Sequence, residues 1–340
     1  MSINTTTYGE LFAQGEVNWT QLHDALPLKA ERSGIWNISD FPAGTGDTKV
    51  FQEIDSSLFA KNKDESDEIT EGKTQIGYTK TMNLVRRGLS KSISWEANRR
   101  NKYPNLTPIW SSLGVTVANR RELDLQHRLT FGTATSYVDM DGKTIDTSVG
   151  DGFALYYTAH TLAGSATTYR NRLANNPAFS AGALEGMLDM TDQNSYTNLG
   201  EKVAFNFDTI WSTNDENTVN TIRQELNATA STTDEKNSGV PSDYGKGGRW
   251  RFRHVVLDYV PTTAPVANDT SKRKYWGLTD SNNTQLHLSI EERLNVQSPQ
   301  VASNATDILT EDMIFKATGS YGIVSVSGRG NAFSSGDAAA

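Results

Sequence analysis

The chain of 340 residues contains no cysteine. That excludes a disulfide framework, a thiol nucleophile and thiolate metal ligands, and it suits a reducing compartment. Stability has to come from packing. Long apolar runs are missing too: nowhere do about 18 apolar residues follow one another, the length a membrane-spanning helix needs. The opening residues, Met1 to Thr7, lack the basic stretch and apolar run of an export signal. Neither export nor membrane insertion is expected. Positive charge is also short. With 32 Lys and Arg against 40 Asp and Glu, the formal net charge is −8, which argues against a chain that coats nucleic acid through a basic face. No Gly-x-Ser-x-Gly elbow and no His-Glu-x-x-His pair occurs, so acyl transfer and zinc proteolysis have no anchor. No repeat of fixed period is visible.

What is present begins with one long helical pattern. Residues Thr107 to Phe131 keep apolar side chains at helical spacing: Leu106, Trp110, Leu113 and Val117, then Ala118, Leu125 and Leu129. Thr107 is the candidate N-cap, Pro108 fills the first helical position, and Gly132 follows the end. At 1.5 Å per residue, about 24 residues make a rod near 36 Å, long enough to be the spine of a domain. Gly114 and the β-branched Val115, Thr116 and Val117 lower its intrinsic propensity. Packing must hold this helix, and a bend near Gly114 costs little.

Taken in order, residues 1–42 carry only short apolar groupings around Tyr8, Leu11, Trp19, Leu22, Trp36 and Phe41. They read as an arm that either packs on the main body or clasps another subunit. Two alternating segments follow. Val50, Ile54 and Leu58 share one face of the first; Ile76, Tyr78, Met82 and Leu84 share one face of the second. They predict a long hairpin with a charged, solvated tip from Lys61 to Glu68. A two-stranded hairpin is marginal alone, so it needs a surface, either its own domain or a neighbour. A third strand candidate runs from Leu89 to Trp95, and a short helix capped by Ser94 extends to Tyr103. Beyond Thr133 lies an α+β region with helices from Ser180 to Thr191 and after a capping-box spacing at Thr213 to Glu216. A polar excursion, Asn227 to Gly248, precedes strands near Arg249–Leu257, Gln285–Ile290 and Met313–Val326, and a tail of small residues closes the chain.

Three local patterns invite a chemical reading. Asp139-Met-Asp-Gly142 with Asp146 suggests a calcium loop but lacks the full ligand series, and a hairpin turn explains it. Gly239 to Lys246 approaches a phosphate loop, yet the spacing and the following strand are wrong. A single His160 in an apolar-aromatic run reads as a hydrogen-bonded structural residue. Arg249, Arg251 and Arg253 fall on one side of a strand, with Trp250 and Phe252 on the other. Nucleic-acid contact, a salt bridge to another subunit and a solvated face all remain open for that row.

The stretch Gly150-Asp-Gly-Phe-Ala-Leu-Tyr-Tyr-Thr-Ala-His-Thr-Leu-Ala-Gly164 is followed by Asn171-Arg-Leu173 and the helix Phe179 to Leu188. In order and composition this resembles the major capsid proteins of tailed bacteriophages, most nearly the group related to the Mu-like major head subunit. The resemblance extends back through Arg87 to Ser94 and the spine, and forward to Tyr321-Gly-Ile-Val-Ser-Val-Ser-Gly-Arg-Gly330. It implies an α+β capsid fold with an N-terminal arm (1–42), an extended hairpin or E-loop (43–88), a peripheral domain with the spine (89–132), a mainly axial domain (133–310) and a returning C-terminal strand and tail (311–340). It implies a structural protein, no enzyme, whose copies form hexamers and pentamers that close an icosahedral shell around DNA. Such a shell is assembled in the host cytoplasm, with portal and scaffold or decoration proteins as further partners and only weak contact with the packaged DNA. An encapsulin-like cargo compartment and, more remotely, a monomeric ligand-binding module are the alternatives. Candidate inter-subunit residues are Val50, Ile54, Leu58, Ile76, Tyr78, Met82, Leu84, Trp19, Arg249, Arg251 and Arg253. No cofactor or metal is implied.

Overall fold

The structure, a computed structural model, describes residues 26, 28–42, 46–66, 68–94, 107–228, 244, 251–259, 270–297 and 313–337. Its first half contains β1 (Asn37–Asp40), β2 (Thr48–Ser56), β3 (Thr74–Asn83), β4 (Val85–Ile93) and helix α1 (Thr107–Thr130). Two small hairpins follow, β5 (Ser136–Val138) with β6 (Thr144–Asp146) and β7 (His160–Leu162) with β8 (Ser165–Tyr169). Then come α2 (Ala181–Gln193), β9 (Thr209–Thr213), α3 (Glu216–Asn227), β10 (Arg253–Leu257), β11 (Trp276–Thr279), β12 (Leu286–Gln297), β13 (Met313–Ser325) and β14 (Asn331–Ser334).

Two four-stranded sheets organise these elements, ordered β1-β12-β13-β4 and β10-β9-β11-β14. The chain passes from one to the other near its C-terminus, because β13 is central to the first sheet and β14 closes the second. Residues Asn331–Ser334 are therefore a fully buried strand rather than part of a small-residue tail. Helix α1 lies on one face of the first sheet, where Leu125 and Leu129 join Leu286, Leu288, Ile290, Tyr321 and Ile323. The same core takes Trp211, Val255, Leu257 and Phe333 from one face of the second sheet. Its other face is covered by α2 and α3, where Leu184, Met187 and Ile222 meet Ile210, Trp276, Leu278 and Ala332. Covered on both sides, β9 is buried along its whole length.

Helix starts follow cap chemistry with one displacement. The Ser180 hydroxyl accepts the Ala183 amide at 3.1 Å, fixing the predicted start of α2. For α3 the cap is Asp215, whose carboxylate accepts the Thr218 amide at 3.0 Å. The capping-box reading at Thr213 fails because that residue ends β9 and spends its hydroxyl on the carbonyls of Arg273 and Tyr275. The helix expected from Ser94 to Tyr103 and the Asn227–Gly248 excursion lie mostly outside the described residues. Among the described residues no helix is long and apolar enough to cross a membrane.

The second half of α1 is buried on every side from Arg121 to His127. Charged residues survive there because each is partnered. Arg121 meets Glu31 at 2.7 Å, and Glu122 accepts the backbone amides of Ala30 and Glu31. Asp124 accepts Tyr321 Oη at 2.8 Å and pairs with Arg120 at 2.9 Å.

Candidate assembly surface

The hairpin β2–β3 is antiparallel, with Lys49 opposite Met82, Phe51 opposite Lys80 and Gln52 opposite Thr79. Beyond that the register shifts by one, so Ile54 stands opposite Ile76. Gly77 and Tyr78 thus both oppose Glu53, a β-bulge on the second strand. The bulge corrects the sequence-based facing. Ile76 and the pair Tyr78 and Met82 are not on one side of β3, because the extra residue between them resets the alternation.

One side of the hairpin faces its own body. At the root, Met82 is buried, and Phe51 and Leu84 pack with Phe41, Val324 and Val326 on the face of the first sheet opposite α1. Phe51 stacks on His287 at 4.4 Å between ring centroids. From Glu53 outward the ties are polar. Arg329, only 8% exposed, meets Glu53 at 3.0 Å and Asp55 at 2.8 Å. The Asn198 backbone amide donates to Asp55 at 2.6 Å and its side chain to Glu53 at 3.1 Å. Burial alone would lower the Arg329 pKa, but the facing Glu53 and Asp55 together outweigh it and raise it above the ordinary arginine value. The Leu58 amide donates to Glu201 at 2.7 Å and Tyr78 Oη bonds Thr161 Oγ1 at 2.7 Å, while on the root side, opposite Phe51, Lys80 reaches Asp146 at 2.8 Å.

The other side is open, and on it three exposed aliphatic residues stand among the exposed polar side chains of Gln52, Thr79 and Thr81. Val50, Ile54 and Ile76 are 63%, 64% and 56% exposed, and Leu58, Phe59 and Ile69 are exposed nearer the tip. From the bulge outward the amphipathic order is the reverse of a hairpin folded for its own sake: Glu53 and Asp55 are turned inward while Ile54 and Ile76 are exposed. Phe59 and Ile69 were not singled out by sequence pattern because they lie on either side of the charged tip, beyond the alternating segments.

The seat beneath the hairpin is the segment that carries the sequence resemblance. Asp151 Oδ2 bonds His160 Nδ1 at 2.8 Å, with His160 fully buried and stacked on Tyr169. Burial would raise the Asp151 pKa, but the His160 contact and the amides of Phe153 and Thr161 hold it below the ordinary carboxylate value. Asn171 Nδ2 donates to the carbonyls of Leu155 and Gly328 at 2.7 and 3.1 Å, tying this loop to the turn that carries Arg329. His160 is thus a structural residue with both ring nitrogens engaged.

A second feature is an open groove of about 550 Å³ beside α1, lined by Arg86, Arg87, Leu89, Val117, Met140 and Lys143, among others. Its floor is an ion-pair network. Arg87 and Arg120 hold Asp139 at 3.5 and 2.9 Å and Asp141 at 3.0 and 3.2 Å. Burial would raise the Asp139 pKa, but the Lys143 and Asp141 amides and the two arginines hold it below the usual carboxylate range. Asp139 therefore caps the β5–β6 turn and anchors arginines, which is the turn reading of Asp139 to Gly142.

Of the other singled-out residues, Trp19 and Arg249 lie outside the described residues, as does most of Gly239 to Lys246. Arg251 and Arg253 are both exposed, but the Arg253 guanidinium donates to Thr209 Oγ1 at 3.1 Å within its own chain. That engagement leaves Arg251 as the outward-facing member of the described pair. Phe252, on the opposite side, packs against the α2–α3 core.

No family model matches the chain, and no curated protein matches it. Among solved structures it is similar to the capsid of Cyanophage P-SCSP1u, with a TM-score of 0.49 and 13% identity over 88% of this chain and 85% of that one. Mycobacterium phage Patience is similar at a TM-score of 0.49 and 11% identity, over 93% of this chain and 86% of that one. The capsid of Myoviridae Phage XM1 is similar at a TM-score of 0.43 and 10% identity, over 88% of this chain and 89% of that one.

Proposed function

We propose that this chain is the major capsid protein of a tailed phage, a structural subunit that joins copies of itself into hexamers and pentamers and closes an icosahedral shell around double-stranded DNA. The observation that carries this reading is the polarity of the β2–β3 hairpin. Six large apolar side chains on the hairpin and toward its tip, Val50, Ile54, Leu58, Phe59, Ile69 and Ile76, are exposed to solvent. Burying such residues recovers about 1.5–3 kcal/mol each, a gain that a second copy supplies and solvent does not. The ordered resemblance around Gly150 to Leu188 points to the same family, and that segment is the hairpin's seat. In a closed shell many modest contacts of this kind multiply through valency. Portal and scaffold or decoration proteins are then further partners, DNA contact is weak given the net charge of −8, and the role is structural rather than catalytic.

Electron microscopy of the purified chain at rising concentration tests the proposal. Rings or closed shells are expected. A chain that stays monomeric at every concentration, alone and co-expressed with the genes flanking its own, overturns it.

A further inference from the structure

The hairpin changes character at one place. On the root side of the bulge the hairpin is seated by the apolar Phe51, Met82 and Leu84, with Lys80 reaching Asp146 and Ser148 beside them. On the tip side its ion pairs to the body go to Arg329, joined by hydrogen bonds from Asn198 and from the Leu58 amide to Glu201. The boundary is the Glu53/Gly77–Tyr78 bulge, where an extra residue bends the strand and interrupts the ladder. Gly77 also sits against the clasp: a Cβ there would stand 2.4 Å from Asn198 Nδ2 and 2.8 Å from Glu53 Cβ. A pivot, a polar lock and a glycine that lets them close coincide within three residues of chain.

We infer that residues 54–76 are a hinged arm, locked to the body by an ionic clasp in which Arg329 bridges Glu53 and Asp55, and that releasing the clasp lets the arm swing about the bulge while the root stays seated. Arg329 acts as a positioning residue. Its planar fork reaches two carboxylates at once, which a lysine cannot reproduce, and it fixes which way Ile54 and Ile76 face. The lock is ionic rather than apolar, so opening exchanges buried charge pairs for hydrated ones and does not expose a greasy seat. Arg329 also donates to the Tyr196 carbonyl at 3.3 Å, so the C-terminal return, the 196–198 loop and the hairpin are held by one side chain. The purpose of the arm rests on the shell reading, but the clasp is a property of the single chain.

Hydrogen exchange on unassembled full-length protein tests it, with Glu53→Gln/Asp55→Asn and, separately, Gly77→Ala, which leaves every clasp charge in place. A detached two-stranded segment is marginal. Exchange at Ile54–Ser56 and Thr74–Ile76 should therefore rise at least tenfold in both variants, while Lys49–Phe51, Lys80–Met82 and β13 keep wild-type rates. Unchanged outer amides, or equal acceleration of outer hairpin, root and β13, overturn the inference. Should a variant fail to fold, Ser66→Cys/Thr168→Cys spin labels on the otherwise cysteine-free chain provide a second reading. A narrow distance distribution in that labelled protein, broadened by Arg329→Lys, supports the clasp; one unchanged by Arg329→Lys overturns it. Shell formation is scored separately by microscopy, so a failed clasp and a failed shell reading are distinguishable.

Discussion

Gly150 and Tyr78 approach so closely that a Cβ on the glycine would stand 2.5 Å from the tyrosine's own Cβ and 3.0 Å from the Val326 carbonyl. The first glycine of the Gly150-Asp-Gly motif is thereby explained: it lets the hairpin lie flat on its seat. Gly150→Ala should destabilise the unassembled protein by about 1–3 kcal/mol, the usual cost of overpacking against atoms that cannot turn away. Urea unfolding measures this. A cost under about 0.5 kcal/mol would mean that the hairpin is not held against the loop in solution.

Val50→Asp and Ile76→Asp separate folding from association. Both side chains are more than half exposed, so stability of the single chain should move by no more than about 0.5 kcal/mol. Assembly followed by light scattering should need at least tenfold more protein. Normal assembly by both variants would remove the outward face from the interface.

How far the sequence revealed this surface depends on the kind of signal. The spine was legible because its apolar spacing persists over many turns and Gly132 marks its end. The hairpin was legible from alternation, but its facing was not, since counting by two assumes no bulge; Gly77 inside the strand was the available warning. The clasp was hidden because Arg329 and Asp55 are 274 residues apart and no local pattern pairs them. What was visible locally was Glu53-Ile-Asp55, charge alternating with an aliphatic, which declares two faces without saying which is inward. The burial of Arg121, Glu122 and Asp124 was hidden for the same reason, since their partners come from the Glu31 turn, β4 and β13, far off in sequence.

Glu31 is the buried partner of Arg121 at 2.7 Å and also receives Arg293 at 3.1 Å. Removing one member of such a pair leaves an uncompensated charge in the interior, so Glu31→Ala should cost about 3–5 kcal/mol. The double change Glu31→Leu/Arg121→Met should recover most of it, because two apolar groups of similar size need no partner. A loss below about 1 kcal/mol in chemical denaturation would mean that water reaches the pair.

Acid should weaken the fold well before its carboxylates titrate. Burial, and then the nearby Lys49, push the His287 pKa down to about 4; burial, and then Arg223, do the same for His254, also to about 4. An unfolded histidine titrates near about 6.5. Between those values the unfolded chain takes up protons that the folded chain refuses, so stability rises with pH across that window. The contribution is complete above about pH 6.5, declines as pH falls, and is fully lost below about pH 4. Asp139, Asp146 and Asp151, whose pKa values are lowered, contribute stability that goes only at more acid pH, below the ordinary carboxylate value. Because His287 stacks on Phe51, loosening should show first at the hairpin root. Urea midpoints measured from pH 7 to pH 5 should fall in the wild type and fall less in His287→Gln and His254→Gln. Equal slopes in all three proteins would show that neither imidazole stays neutral in the folded chain.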